Sequence, residues 1–247
     1  MQEFQKVYPF ATENVKDSLA HLDLQNKSVL TVGSSLDQAF DAILYGSTKV
    51  TVFDINANTK KFYELKKALL YETDRRSFYD KLLKQNILYD DITLKSTVYR
   101  VCKYLESDET YELLKQRLVT ASISFVTGDI FKIDDFLSSS DKFDRIILSN
   151  ILQYLEYFVP KDENVYSYLR EIFLGIENHL ENNGIMELCY LYSVIKNGQV
   201  LMNTPLAIYN LPKVLEIFRD KTLFLEGVLP FIEKSSYTDA ILTYRKN

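Results

Sequence analysis

Apolar positions along the chain recur in two distinct periods. Short apolar runs at 29–32, 50–53, 123–126, 145–148 and 185–191, bounded by polar or small residues, read as buried strands. Between them the spacing turns helical. It predicts helices over 38–45, over 58–70 with Phe62, Leu65, Leu69 and Leu70 on one side, and over 165–180, where Asn182, Asn183 and Gly184 form a stop signal. A further helix is expected near 211–218, then strands near 222–228 and 240–244, whose loop is short enough for a hairpin. Strands separated by helices imply a parallel, doubly wound α/β sheet, and the closing hairpin puts an antiparallel strand in it.

One stretch breaks this alternation. From about 74 to 120 the pattern is helical throughout: Val98, Val101, Cys102 and Leu105 form one apolar stripe, and Tyr111, Leu114 and Leu118 form the next. The segment is expected to be a helical insertion lying outside the sheet, beside its ligand edge, within a single domain spanning 1–247. Two roles are weighed equally for it, an acceptor-selecting cap and a packing or dimerisation element, so a homodimer is one expectation.

Composition narrows the class. With 247 residues, 47% hydrophobic and 26% charged, the chain can bury a sizeable core, as soluble globular proteins do. The opening MQEFQKVYPF lacks the basic-then-apolar pattern of a secretion signal, and no run approaches the ~18 apolar residues of a membrane span. Cys102 and Cys189 lie in apolar-periodic segments and read as reduced, buried thiols of a cytoplasmic protein. A net charge of −5 argues against a broad nucleic-acid footprint, and Lys60, Lys61, Lys66 and Lys67 read as a solvated helix face. His21 and His179 have no partners at metal-ligand spacing, so no protein-bound metal is expected. His179, late in a helix, is read as easing its C-terminal dipole.

In an open α/β sheet, ligands bind beyond the carboxyl ends of the strands. The residues there are Gly33, Ser34 and Ser35, then Asp54, Ile55 and Asn56, then Gly128, Asp129 and Ile130, then Ser149 and Asn150. Asp54 follows Gly33 by 54 − 33 = 21 positions, the spacing at which an acid accepts from both hydroxyls of a ribose. Asp129 is placed to accept from an exocyclic amine of adenine, with a plain turn aspartate weighed equally. The Ile130 amide is placed to face a ring nitrogen, and Ile55 to cover a ring face.

The turn itself, GSSLDQ, has one glycine where a dinucleotide loop has two or three. A pyrophosphate must approach backbone amides and a helix N-terminus closely, and Asp37 in the first helical turn would oppose its charge. S-adenosylmethionine carries no phosphate, and its sulfonium and zwitterionic end tolerate a carboxylate such as Asp37. Ser35 and Gln38 also have the S-x-x-Q spacing of a capping box, worth ~1 kcal/mol to the helix start. A nicotinamide enzyme is expected to need a further substrate domain, and none is expected after residue 247. These features favour S-adenosylmethionine over a dinucleotide.

SVLTVGSSLDQAF, VTVFDIN, FVTGDIF and FDRIILSNILQYL, in this order and spacing, resemble the motifs of class I S-adenosylmethionine-dependent methyltransferases, over about 26–192 plus the terminal strands. The resemblance implies a Rossmann-like seven-stranded sheet whose last strand is antiparallel, to which the pattern above adds the helical insertion after the second strand–helix unit. It implies that Gly33, Ser34 and Ser35 line the methionine end, Asp54 holds the ribose, Asp129 and Ile130 face adenine, and Ser149 and Asn150 close the floor; Asp37 and Ile55 join the cofactor-binding candidates on the residue readings above. A narrower similarity, GSSLDQAFDAIL with FDIN and YELKKALL, is to betaine-lipid synthase type 3-amino-3-carboxypropyl transferases, which use the same cofactor. The activity implied is transfer from S-adenosylmethionine to a small-molecule acceptor, methyl transfer ahead of aminocarboxypropyl transfer, with a non-catalytic cofactor-binding protein as a third reading. Tyr8, Tyr154 and Tyr157 are the candidate acceptor-facing residues. No catalytic base is assigned.

Overall fold

The computed structural model describes residues 8–11, 14–84, 101–151, 165–188, 193–196, 199–202, 223–224, 228–230, 238–240 and 242–246. The chain divides into two compact units, 1–130 and 131–247.

The first unit runs α1 (Val15–Leu19), β1 (Ser28–Val32), α2 (Asp37–Leu44), β2 (Lys49–Asp54), α3 (Thr59–Glu72), α4 (Arg75–Lys84), a 3-10 turn (Lys103–Leu105), α5 (Asp108–Thr120) and β3 (Ser122–Thr127). Its strands lie in the order β3-β2-β1, all parallel, with Ser28 opposite Lys49 and Lys49 opposite Ser122. The three apolar runs predicted this way are each one residue or so short of the observed strand. Parallel registers bring the carboxyl ends together, since Val32 pairs with Phe53 and Asp54 with Thr127.

The helical reading of 74–120 holds for α4 and α5. Ser107 and Thr110 cap α5 reciprocally, and Tyr111, Leu114 and Leu118 are its buried face, packed on α2. The stripe before it differs. Val101, Cys102 and Leu105 are buried, but Cys102 is extended and only a 3-10 turn follows, so they do not share one α-helical face. Val98 lies outside the described residues.

The second unit contains β4 (Phe143–Ile147), α6 (Val165–Asn178), β5 (Leu180–Leu188), β6 (Ser193–Lys196), β7 (Gln199–Met202), β8 (Leu223–Phe224), β9 (Val228–Pro230), β10 (Thr238–Ala240) and β11 (Leu242–Arg245). One sheet has the order β4-β5-β11-β8, with β4 and β5 parallel and β11 antiparallel to both its neighbours. The sequence pattern missed the second sheet, β7-β6-β10-β9, whose described pairs are all antiparallel. The expected strands 222–228 and 240–244 each span parts of two strands, and β9 and β10 occupy the connection expected to be a short hairpin loop. A period-2 pattern carries no mark where a chain passes from one sheet to another.

The signal Asn182, Asn183, Gly184 is also used differently. The helix ends at Asn178, and these residues bulge from β5: Phe143 pairs with Leu180, and Arg145 already with Ile185. Asn183 takes a left-handed φ of 63°, and its N–H donates to the Lys246 carbonyl at 2.9 Å. His179 follows the helix, fully buried, with Nδ1 3.0 Å from the Asp141 carbonyl and Nε2 3.1 Å from Asp134. Its ring therefore ties the 3-10 segment Ile130–Asp135 to the loop at Asp141. Cys189 and the expected helix 211–218 lie outside the described residues.

Candidate functional site

At the carboxyl ends of β1 and β2, Gly33 and Asp54 meet closely. The Gly33 N–H donates to the Phe53 carbonyl at 2.7 Å. A Cβ on Gly33 would lie 2.5 Å from Asp54 Oδ2 and 2.6 Å from Thr59 Cγ2, so a larger residue would displace the Asp54 carboxylate or Thr59. Asp54 then clasps both turns. Its Oδ2 accepts from the Ser34 N–H and the Thr59 hydroxyl, each at 2.9 Å, and its Oδ1 accepts from the Asn56 N–H at 2.9 Å. A carboxylate has about four acceptor positions, so with the donors among the described residues one remains, on Oδ1.

The turn after β1 carries a glycine-like backbone without further glycines. Ser34 and Leu36 have φ of 39° and 69°, in the left-handed region. Such residues cost of order 1–3 kcal/mol and persist only where their surroundings over-determine them. The expected capping box does not form. Leu36 occupies the N-cap position, Gln38 Oε1 accepts from the Thr31 hydroxyl at 2.9 Å, and Ser35 Oγ accepts only a long 3.4 Å bond from the Asp37 N–H. The left-handed Leu36 moves the helix start one residue past the expected cap.

Asp37 is the clearest departure. Its side chain is fully buried. Oδ1 accepts from Lys66 Nζ at 2.6 Å and from the Tyr104 hydroxyl at 2.7 Å, and Oδ2 accepts from the Ala11 N–H at 2.5 Å. The carboxylate has no exposed surface, and its charge, paired with Lys66, supplies no argument against a pyrophosphate.

Lys66 is no part of a solvated face. It is fully buried, and Nζ also donates to the Ser35 carbonyl at 2.7 Å and the Pro9 carbonyl at 3.0 Å. The rings of Phe10, Phe40, Phe62 and Tyr104 stand 5.0–6.0 Å from it. The buried face of α3 is Thr59, Phe62, Tyr63, Lys66, Leu69 and Leu70, with Leu65 only half-buried. Lys66 thus sits at helical spacing within an apolar stripe, and that position was the signal that could have found it.

Asp41, one turn further along α2, accepts from the Lys103 and Tyr104 N–H groups at 2.6 and 2.9 Å. Burial pushes its carboxyl up to about 8, helped by the nearby Asp37 and opposed by those two amides and Lys66. Burial likewise raises the Cys102 thiol and the Tyr104 hydroxyl.

The remaining expected residues fall as follows. Ile55 is 67% exposed beside Asp54, and Tyr8 is 39% exposed. Gly128 N–H donates to the Asp54 carbonyl at 3.0 Å, which fixes the start of the turn holding Asp129 and Ile130. Asp129 is half-buried, whereas Ile130 is buried. Ser149 and Asn150 belong to the second unit, where Ser149 follows β4 with φ of 51° and is buried. Tyr154 and Tyr157 lie outside the described residues. Sequence reasoning passed over Thr59, Asn56's amide and Tyr104, none of which has a motif of its own.

No protein family and no curated protein matches the chain by sequence. Its fold does match solved structures. The glycopeptide N-methyltransferase MtfA, complexed with S-adenosyl-L-homocysteine, is similar over 99% of this chain and 93% of its own, with a TM-score of 0.52 and 12% identity. The N-methyltransferase NodS from Bradyrhizobium japonicum WM9 is similar over 94% of this chain and 85% of its own, with a TM-score of 0.48 and 12% identity. A ribosomal protein L11 methylase from Lactobacillus delbrueckii subsp. bulgaricus gives 94%, 77%, 0.46 and 12%. The fold is the Rossmann-like α/β fold of the class I methyltransferases, with an antiparallel last strand. At these identities the likeness extends to the fold alone. Among the described residues, no helix is long and apolar enough to cross a membrane.

Proposed function

We propose that this chain is an S-adenosylmethionine-dependent methyltransferase acting on a small-molecule acceptor. The observation that carries the reading is the clasp at Gly33 and Asp54. A glycine at the head of the turn and a half-buried carboxylate with one open acceptor position among the described residues sit together at the carboxyl ends of adjacent parallel strands, where this fold class takes its ligand.

In this reading the main chain of Gly33, Ser34 and Ser35 meets the methionine end, and the open position on Asp54 Oδ1 accepts one ribose hydroxyl. Exposed Ile55 covers a face of adenine, while Asp129 and the Ile130 main chain meet its polar edge. The sulfonium of the bound cofactor supplies an electrophilic carbon. What the protein must add is alignment, holding the acceptor within ~3–3.5 Å of that carbon, so no base is required in principle. Tyr8, exposed at the edge of the first unit, is the described residue proposed to face the acceptor. The net charge of −5 favours a small molecule over nucleic acid as that acceptor.

Calorimetric titration with S-adenosylmethionine should give micromolar binding, about −8 kcal/mol. Asp54→Ala should weaken it at least tenfold, because the variant loses the ribose contact and the hold on Ser34. Absence of binding by the intact protein, or tighter binding of NADH in a parallel titration, overturns the proposal. Turnover with candidate acceptors, read by mass, should yield S-adenosylhomocysteine. Methylthioadenosine instead would assign aminocarboxypropyl transfer.

A further inference from the structure

We propose, resting on the cofactor reading above, that Lys66 is a positioning residue. It ties the N-terminal segment 8–11 to the turn after β1 and so sets the main chain that faces the cofactor. An ammonium has three donors, and here each has an acceptor: the Pro9 carbonyl at 3.0 Å, the Ser35 carbonyl at 2.7 Å and Asp37 Oδ1 at 2.6 Å. Two of these are main-chain groups from separate segments. Asp37 returns the connection by accepting from the Ala11 N–H at 2.5 Å, so the segment is held at both a carbonyl and an amide.

The charge pair is a poor device for stability alone. Desolvating both ions offsets most of their attraction, and apolar residues of similar volume commonly replace such pairs without loss. The surroundings would accept them, since Phe10, Phe40, Phe62 and Tyr104 already ring the ammonium. What apolar residues cannot supply is a donor for the Ser35 carbonyl. That carbonyl lies between Ser34 and Leu36, the two residues with φ of 39° and 69°, where the backbone needs outside restraint. Asp54 restrains the same turn through the Ser34 N–H at 2.9 Å. Lys66 thus holds the turn from inside the core and Asp54 holds it from the edge.

The segment is anchored independently by packing. The Phe10 ring stacks on Tyr79 of α4 at 5.1 Å, and both are fully buried. Movement of 8–11 is transmitted to the Ser35 carbonyl through Lys66, with Asp37 as the second tie, and restraint of the turn by a ligand is transmitted back.

The test uses the full chain with Lys66→Met and Asp37→Asn together. This pair removes both charges, keeps an acceptor for the Ala11 N–H, and leaves the Pro9 and Ser35 carbonyls without the ammonium. The variant is expected to unfold cooperatively, to bind S-adenosylmethionine at least tenfold more weakly, and to keep kcat within twofold at saturating cofactor. Hydrogen exchange at the Ser34 and Leu36 amides, whose own acceptors are untouched, should quicken at least tenfold. Wild-type affinity together with wild-type exchange at these amides overturns the proposal. Should the variant not fold, the wild-type protein decides: saturating S-adenosylhomocysteine must slow exchange at the Ala11 amide, and unchanged exchange there overturns it. If the intact protein binds neither cofactor form, the cofactor reading fails, while exchange at Ser34 and Leu36 still tests the tie itself.

Discussion

Two carboxylates hold the turn after β1, and they do so from different environments. Asp54, half-buried at the end of β2, takes the Ser34 amide directly, together with Thr59 and the Asn56 amide. Asp37, wholly buried, acts through Lys66, which takes the Ser35 carbonyl. Both are acids next to the same backbone, yet only one has acceptor capacity facing outward. Nearness to a ligand edge does not therefore make an acid a ligand contact. The deciding quantity is exposure: each carboxylate takes three of the protein's own donors and keeps about one acceptor position, but Asp54 is half-buried at the strand end whereas the Asp37 side chain is 0% exposed.

The largest way to break this comparison is Lys66→Met alone. It strands Asp37 as a buried carboxylate without its cation, and removing one partner of a buried pair costs about 3–5 kcal/mol. The urea midpoint should fall accordingly. Adding Asp37→Asn should restore part of the loss, since the remaining deficit is that of two main-chain carbonyls. A single variant as stable as the wild type would show that Asp37 is not held in the core as described.

The edge side was legible in the sequence and the core side was not. Gly33, Asp54 and their separation are set by strand length and the crossover between two parallel strands, which any chain of this class must satisfy, so spacing suffices to find them. Lys66 and Asp37 are joined by no such rule. They lie 29 residues apart in different helices, and the pairing is a side-chain choice inside one core. The pattern of α3 did place Lys66 on the apolar face, but a lysine at such a position is usually read as solvated through its long stem. Similarly, β10 and β11 follow one another in a single run of strand-like residues, although they belong to different sheets.

The second effect is confined to a pH window on the core side. Asp41 ionises near ~3.9 in an unfolded chain, whereas burial pushes it up to about 8 in the folded protein. Between those values the folded state keeps a proton that the unfolded state has released, so this group's contribution makes stability fall as pH rises. The groups facing it are Asp37, Lys66 and the amides of Lys103 and Tyr104. Urea midpoints measured at pH 5 and pH 8 should decline for the wild type, and the decline should flatten in Asp41→Asn. The same slope in both proteins would assign the titration to another group.

The smallest effect separates main chain from side chain at the edge. Ser34 is exposed and left-handed, with φ of 39°. Glycine relieves ~1–2 kcal/mol of strain there but gives the unfolded chain more freedom, so Ser34→Gly should stabilise by only about 0.5–1 kcal/mol. The Ser34 N–H is retained, and with it the bond to Asp54 Oδ2 at 2.9 Å. If the turn meets the cofactor through its backbone, affinity for S-adenosylmethionine should stay within twofold. A tenfold loss would mean that the serine hydroxyl itself makes the contact, and that the missing glycine at this position was exchanged for a binding group. Unchanged affinity with a small gain in stability would mean that Asp54 and Lys66 already impose the conformation that glycine supplies in other loops of this kind.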